Sequence, residues 1–416
     1  MLSNRILNIA SMLRKPLIAS FALISVGSTG LNFLLSVSMV HGTGLAVLGI
    51  SMGLPALVLA IAGSSVAALS GRLGPHVVLR GSLATMATAA ALAGAADASG
   101  LAWRGWVEAL ALLCSGIAAA AAAVSVMILV PRVLPNELET ANAALQGTSA
   151  ACQILTPLVL VLVRQALSAS VALFMVALLL AGGTWHSNRS VDGSWEQEST
   201  SLRAALFAGG RVIGRSADLR RMTLGLAIAW SGLGAVSLLE IPLLMDQLRG
   251  GAQGYASVLS ACAFGALIGS LVFGLAGPRM SGRGPLALLL GTSGLLWGIY
   301  GLSGSVQQAL AVAIAASVLG AGLNIATAST IQRATAGTED ESSVVAWIFG
   351  SFHATGALSL LAAGLVAGPV LSITNSLLLC GGLGLLGALL LPRGTKRDLG
   401  ITTQAANVTD PYLAGS

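Results

Sequence analysis

Very few ionisable side chains lie inside the long apolar stretches of this sequence, and those few could bind and release a proton. Of the 15 acidic residues, Glu240 alone lies clearly within such a stretch. His353 lies near the middle of another, and an imidazole titrates close to physiological pH. An ionisable group at membrane depth is costly, so each one needs a reason. We predict Glu240 as a proton-coupling site, the alternative being a hydrated or hydrogen-bonded carboxylate near the outer interface.

Three amides and one tryptophan in these stretches could orient a ligand. Asn32, Gln153 and Asn324 lie deep within apolar segments, and Trp230 could stack on a planar molecule. A largely apolar cavity with a few polar groups suits an amphipathic ligand better than a sugar, which needs many hydrogen bonds. We predict these four residues and His353 as substrate-cavity candidates. Permanent helix-to-helix hydrogen bonds, or packing in the case of Trp230, are the alternatives.

Twelve apolar stretches hold these residues. The predicted spans are residues 17–39, 44–69, 77–96, 107–129, 143–163, 167–183, 224–244, 255–275, 286–302, 309–330, 344–366 and 372–391. A helix of about 20 residues crosses a hydrocarbon core of about 30 Å. Charged residues make up 9% of the sequence, against about 25% in a typical soluble domain. The sequence therefore predicts an all-α membrane protein with twelve transmembrane helices.

Basic residues fall on one side of these spans. Of the 21 Lys and Arg residues, 18 fall at alternate gaps, and the exceptions are Arg104, Arg164 and Arg249. Lys and Arg resist translocation, so the basic loops are predicted to be cytoplasmic. We expect a multi-pass protein of the cell inner membrane with both termini in the cytoplasm. The net charge of +6 then reflects topology, and no nucleic-acid partner is expected.

A polar segment divides the spans into two sets of six. The predicted units are an N-terminal six-helix bundle (1–184), a cytoplasmic linker (185–221), a C-terminal six-helix bundle (222–392) and a cytoplasmic tail (393–416). Within the linker, residues 201–212 could form an amphipathic helix on the membrane surface.

The two halves repeat each other at their basic loops. Arg72 and Arg279 follow the second and eighth spans, 207 residues apart, and Arg132 and Arg333 follow the fourth and tenth, 201 residues apart. Two such similar offsets indicate duplicated units, as in transporters whose halves rock against each other. We predict pseudo-symmetric bundles, with the four arginines in a cytoplasmic gate. Arginines placed by topology alone are the alternative.

Two loops resemble those of a known family. Residues 67–76 resemble the major facilitator superfamily motif that reads roughly Gly-x-Leu-Ala-Asp-Arg-x-Gly-Arg-Arg, with Arg72 and Gly74 as matches and Gly71 in place of the Asp. Residues 129–143 resemble a loop of its drug and siderophore exporters, the group that contains the enterobactin exporter and macrolide efflux proteins. The resemblance implies a two-bundle major facilitator fold, with a central cavity that opens alternately to each side and Gly74 in the gate.

The resemblance also implies export of an amphipathic small molecule against inward proton flow. The sequence contains no Walker loop and none of the hydrolase or metalloprotease motifs, so we expect neither an enzyme nor a cofactor or metal site. We predict a monomeric secondary active exporter of a drug, siderophore or other secondary metabolite. An uptake permease of the same fold and a non-transporting membrane sensor are the alternatives.

Overall fold

The computed structural model describes residues 16–39, 53, 57, 70, 73–100, 104–133, 138–188, 202–280, 282–335, 341–367 and 370–391. Within these ranges the protein is almost entirely helical. The only β pairing in them is an isolated bridge between Ala367 and Leu371.

Twelve α-helices occupy the described ranges. Before the linker lie α1 (Pro16–Met39), α2 (Pro75–Ser99), α3 (Arg104–Val133), α4 (Leu138–Ala166) and α5 (Ala169–Asn188). The linker contains α6 (Leu202–Arg215). After it lie α7 (Ala217–Pro242), α8 (Gly251–Ala276), α9 (Arg283–Gly301), α10 (Val306–Thr335), α11 (Glu341–Val366) and α12 (Ile373–Leu390).

Eleven of these helices coincide with predicted spans, which confirms the predicted helical membrane architecture. Eight helices in the described part are long and apolar enough to cross a membrane, and two further apolar segments, Leu17–Leu31 and Ala169–Trp185, are shorter. The remaining predicted span, 44–69, lies outside the described residues except for positions 53 and 57. Two helices reach into the predicted linker, because α5 continues to Asn188 and α7 begins at Ala217.

Helix starts follow from local sequence. Gly74 has φ 88°, which a residue without Cβ adopts at little cost, and Pro75 then opens α2 with the φ that a first helical turn requires. Ser216 caps α7, its hydroxyl accepting a hydrogen bond from the Leu219 N–H at 3.3 Å. This cap begins α7 before its apolar run and explains why the helix extends into the linker.

The two halves pack their helices in the same way. α10, α11 and α12 begin 202, 203 and 204 residues after α3, α4 and α5. α2 packs against α3 and α5, and in the second half α9 packs in the same way against α10 and α12. Similarly, α1 packs against α4 and α5, and α7 packs against α11 and α12. The repeated packing identifies two pseudo-symmetric bundles.

Glycines bring the helices of the C-terminal bundle into backbone contact. A Cβ at Gly381 of α12 would lie 2.7 Å from the Gly294 carbonyl oxygen and 2.9 Å from the Gly298 backbone, both on α9. Lipid tails are as apolar as the side chains, so close packing contributes much of the association between helices.

We expect Gly381→Ala to destabilise the protein by about 1–3 kcal/mol, because the added methyl group meets only backbone and the two helices must move apart. The adjacent Gly382 is the matched control, since a Cβ there meets nothing within 4 Å. Thermal unfolding in one detergent measures both variants. Equal melting temperatures for the two alanine variants would show that the α9–α12 contact is not tight.

Arg104, one exception to the charge asymmetry, is neutralised locally. Its guanidinium forms ion pairs with Asp97 at 2.9 Å and with the buried Glu108 at 3.1 Å, joining the end of α2 to the start of α3. Two carboxylates next to one arginine remove the local positive charge. Arg104 therefore adds no net positive charge at that end of the helices.

Candidate functional site

Helix α4 carries a line of polar residues along one face. Glu139, Asn142, Gln146, Ser149 and Gln153 are spaced three and four residues apart, which places them above one another on a helix. We call these five residues the α4 stripe. We call the end of the bundles at which α3 and α10 end and α4 and α11 begin the basic end. The α4 stripe runs from the basic end toward the middle of α4.

At the basic end the α4 stripe bonds to the other bundle. The Asn142 amide donates to the Ser329 hydroxyl at 3.0 Å and to Gln332 Oε1 at 2.8 Å, both on α10. The Gln332 amide donates in turn to the Met127 carbonyl of α3 at 3.2 Å. Asn142, Ser329 and Gln332 are all buried. These bonds tie the two bundles together, and neither Asn142 nor Gln332 is among the predicted site residues.

An ion pair lies beside these bonds. Arg333 of α10 donates to a carboxylate oxygen of Glu139 across the bundle interface. The Glu139 side chain is 4% exposed and that of Arg333 is 41% exposed. Arg333, predicted as a gate residue, thus lies at a contact between bundles, whereas the predicted gate residue Arg279 is exposed on the turn Gly277–Met280.

Apolar contacts close the same end. Val124 and Ile128 of α3 pack against Ala346 of α11. Met127 of α3 and Ala143 of α4 belong to a buried cluster whose other members lie on the linker helix α6 and in the C-terminal bundle. The described residues therefore seal the basic end with a buried apolar layer as well as with hydrogen bonds.

Farther along α4 the stripe becomes accessible. Gln146 and Ser149 are half-buried, and Gln153 is exposed. The Gln153 amide donates to the Ser149 hydroxyl at 3.2 Å, within its own helix. Gln153 therefore forms no helix-to-helix hydrogen bond in the described part of the chain, which was the alternative to its predicted place in a cavity.

The faces of α4 on either side of the stripe are covered. Cys152 approaches the Ala22 carbonyl of α1 at 3.7 Å, and Gly147 is in contact with Ser270 of α8. The exposed part of the stripe therefore lies between a helix of its own bundle and a helix of the other bundle. Because Gln153 is exposed although α4 is flanked on both sides there, we infer a gap between the bundles that is closed at the basic end.

An aromatic group lies in the C-terminal bundle, on α7 and α11. The Trp230 ring stacks on Phe352 with centroids 5.3 Å apart, and Phe352 also contacts Phe349 at 4.7 Å and His353 at 4.9 Å. The Trp230 indole N–H is buried and has no acceptor among the described residues. Two predicted cavity residues, Trp230 and His353, are thus brought together, with one hydrogen-bond donor left unused.

Glu240 lies apart from both groups. It is 6% exposed in the part of α7 far from the basic end. Its neighbours Leu239 and Leu243 belong to a buried cluster with Tyr300 of α9, against which Tyr255 and Cys262 of α8 pack. The Tyr300 hydroxyl is buried without a partner in the described structure. No lysine or arginine of the described ranges forms an ion pair with Glu240.

The remaining predicted residues are described only in part. Asn324 is half-buried on α10 and forms no hydrogen bond within the described ranges. Asn32 and Arg132 lie in α1 and α3, but their side chains lie outside the described residues, as does the whole of Arg72.

Comparison with known proteins bears on the fold. No protein-family model and no curated protein matches the sequence. Among solved structures, the human organic anion transporter MFSD10 (TETRAN) superimposes with a TM-score of 0.70 at 14% identity, covering 90% of this chain and 98% of that one. A single-site variant of the E. coli fucose:proton symporter FucP gives 0.67 at 12% identity, covering 94% of this chain and all of that one.

The chain has the major facilitator fold. At these identities the likeness establishes the architecture alone. Within the major facilitator fold, the α4 stripe and its partners on α10 form the seam between the two bundles, and the aromatic group lies on the C-terminal side.

Proposed function

We propose that this protein is a secondary active transporter that exports an amphipathic small molecule by alternating access. The α4 stripe supports this proposal most strongly. It bonds to the other bundle at the basic end, and farther along the helix, at Gln153, it is exposed. A passage closed at one end requires a helix face that is buried in a contact between the bundles at that end and accessible farther along.

The seal is of a kind that can open and reform. It consists of neutral hydrogen bonds, one ion pair and small apolar contacts rather than one continuous core. Each buried hydrogen bond contributes about 1 kcal/mol net. Differential contacts worth a few kcal/mol are sufficient to shift a protein between two states.

The chemistry of the two walls suggests the substrate class. We assign Gln146, Ser149 and Gln153, which carry amide and hydroxyl groups, to one wall of the passage. We assign the aromatic group, in which the Trp230 N–H has no acceptor among the described residues, to the other wall. Apart from His353, none of these residues is ionisable. An amphipathic molecule with a planar part and several hydrogen-bond acceptors matches them, as in a drug, siderophore or other secondary metabolite.

Proton antiport is the coupling that we propose, with Glu240 as the group that takes up and releases the proton. Glu240 lies inside the C-terminal bundle, separate from the walls of the gap, so a proton and a substrate could occupy the protein independently. One structural neighbour is named as a proton symporter and the other as an organic anion transporter. Both names support transport for this chain.

The orientation that we propose follows from the charge asymmetry. The basic end faces the cytoplasm, both termini lie there, and the protein resides in the cell inner membrane as a monomer. In this orientation the gap next to Gln153 opens to the outside, which is the state that follows substrate release in an exporter.

Transport by the purified protein in liposomes tests the proposed function. A panel of uncharged amphipathic compounds, with a sugar as the negative control, would be loaded against an imposed pH gradient in vesicles sorted by protein orientation. We expect movement of an amphipathic compound from the basic end to the opposite end, abolished by a protonophore. Movement only in the other direction would favour an uptake permease. No transport of any compound, together with altered gene expression in a deletion strain, would favour a sensor.

Trp230 provides a test of the aromatic wall. We expect Trp230→Ala to weaken binding of the best transported compound about tenfold, because a stacking contact contributes about 0.5–1.5 kcal/mol beyond the buried area. Trp230→Phe keeps a ring but removes the N–H donor, so we expect an intermediate loss. Equilibrium binding in detergent measures both changes. Unchanged affinity in the alanine variant would remove Trp230 from the pathway.

A further inference from the structure

The linker helix α6 is fixed to the C-terminal bundle along one face. The Gly209 N–H donates to the Ser343 hydroxyl of α11 at 2.8 Å, and a Cβ at Gly210 would lie 3.2 Å from the Trp347 ring. Ile213 is buried in the same cluster as residues of α7 and α11. α6 therefore rests against the first turns of α11.

This contact places α6 at the membrane boundary. The apolar spans that start nearest to it are Ser343–Val366 and Ala217–Gln247. α6 touches Ser343, the first residue of one span, and ends two residues before Ala217, the first residue of the other. A helix held between two span starts lies at the level of the lipid headgroups.

The other face of α6 and the first turn of α7 carry exposed arginines. Arg211 and Arg215 on α6, and Arg220 and Arg221 on α7, are all exposed. α6 contains no acidic residue. The acid nearest in sequence, Asp218, is bonded to Arg283 at 3.1 Å. Four guanidinium groups within eleven residues thus form a surface, here called the α6 basic surface, whose charge is not balanced by the described acids.

We propose that the α6 basic surface binds the headgroups of anionic phospholipids. A guanidinium group donates two parallel hydrogen bonds to a phosphate, and clustered basic residues next to a span gain roughly 1 kcal/mol each from an anionic leaflet. The bilayer is the anionic partner that is always within reach of a helix at this depth. The inference depends only on the position and charge of α6, so it holds whether or not the protein transports.

Lipid binding at this surface has a structural consequence. α11, against which α6 packs, also carries Phe349, Phe352 and His353 of the aromatic group and Ala346 of the closed basic end. Headgroups that bind α6 and the start of α7 together hold α6 against α11. Anionic lipid therefore stabilises the C-terminal bundle in the conformation described.

Native mass spectrometry of the full chain, titrated with phosphatidylglycerol or with phosphatidylcholine of the same acyl chains, tests the proposal. We expect wild-type protein to prefer phosphatidylglycerol by about a hundredfold or more, since at least three basic residues each contribute a factor of roughly five. The triple substitution Arg211→Gln, Arg215→Gln and Arg221→Gln should lower phosphatidylglycerol affinity about a hundredfold, since each basic residue contributes a factor of roughly five. The corresponding triple lysine variant should retain the preference, because it keeps the charge.

A matched control and a second measurement keep the test decisive. Arg279→Gln removes an exposed arginine from a different turn and should change the affinity less than twofold. If the glutamine variant does not fold, wild-type protein at about 1 M salt provides the test, since the Debye length there is about 3 Å and the preference should disappear. A preference that persists in the glutamine variant, or that is insensitive to salt, overturns the proposal.

Discussion

Replacing Asn142 by Ala is expected to open the basic end of the protein for most of the time. The substitution removes both hydrogen bonds from α4 to α10 and leaves buried polar groups on Ser329 and Gln332 without their partner. Losing a buried network of this size costs about 2–4 kcal/mol. In a two-state equilibrium that cost changes the ratio of closed to open protein by roughly 30-fold to 1000-fold.

Distances between spin labels at Val77 and Arg279 measure this change. Both residues are exposed, and they lie at the basic end on different bundles. We expect one short distance in the wild-type protein and a longer distance as the main population in Asn142→Ala. Gln153→Ala is the matched control, because Gln153 belongs to the same stripe but bonds only within α4. Identical distance distributions for Asn142→Ala and wild type would show that the amide bonds do not hold the bundles together.

Glu240→Gln is expected to abolish the dependence of transport on a pH gradient. Glutamine keeps the size and hydrogen-bonding groups of the side chain but cannot release a proton. For one proton exchanged per substrate, each pH unit supports about a tenfold accumulation, since one pKa unit corresponds to 1.36 kcal/mol. We therefore expect gradient-driven accumulation in liposomes to fall at least tenfold, while counterflow exchange of substrate continues.

Glu108→Gln is the control for Glu240. Glu108 is also a buried acid in the helical part of the chain, but it is paired with Arg104, so its substitution should leave coupling intact. Coupling that is unchanged in Glu240→Gln would exclude Glu240 from the mechanism. Loss of counterflow as well as accumulation would instead indicate a structural role.

The large-scale features of the fold could be predicted from sequence because lipid constrains them strongly. Span length, the charge asymmetry of the loops and the repeat offset of Arg132 and Arg333 each depend on one physical rule, and none requires knowledge of tertiary contacts. Arg333 and Glu240 could also be selected as candidates from the sequence, because a charged residue in or next to an apolar stretch is rare; their predicted roles in gating and proton coupling stay predictions. The structure places one at the bundle interface and the other inside a bundle.

Contacts between distant helices could not be predicted in this way. Asn142 and Gln332 are 190 residues apart, and a single sequence does not show which face of α4 meets which face of α10. The spacing of the α4 stripe was the available signal, since five polar residues at intervals of three and four mark one face of an apolar helix. That spacing shows that one face of α4 is polar but not what the face contacts. Asn142 on this face bonds to α10, whereas Gln153 on the same face is exposed.

Accessibility of a cysteine at position 153 tests most directly whether a gap between the bundles is sealed at the basic end. In a background without Cys114, Cys152, Cys262 and Cys380, Gln153→Cys would be treated with a membrane-impermeant maleimide from each side of the bilayer. We predict fast labelling from the side opposite the basic end and slow labelling from the basic-end side, with the second rate rising at least tenfold once Asn142→Ala is introduced. Labelling from neither side, or a basic-end rate that is the same with and without Asn142→Ala, would contradict the account.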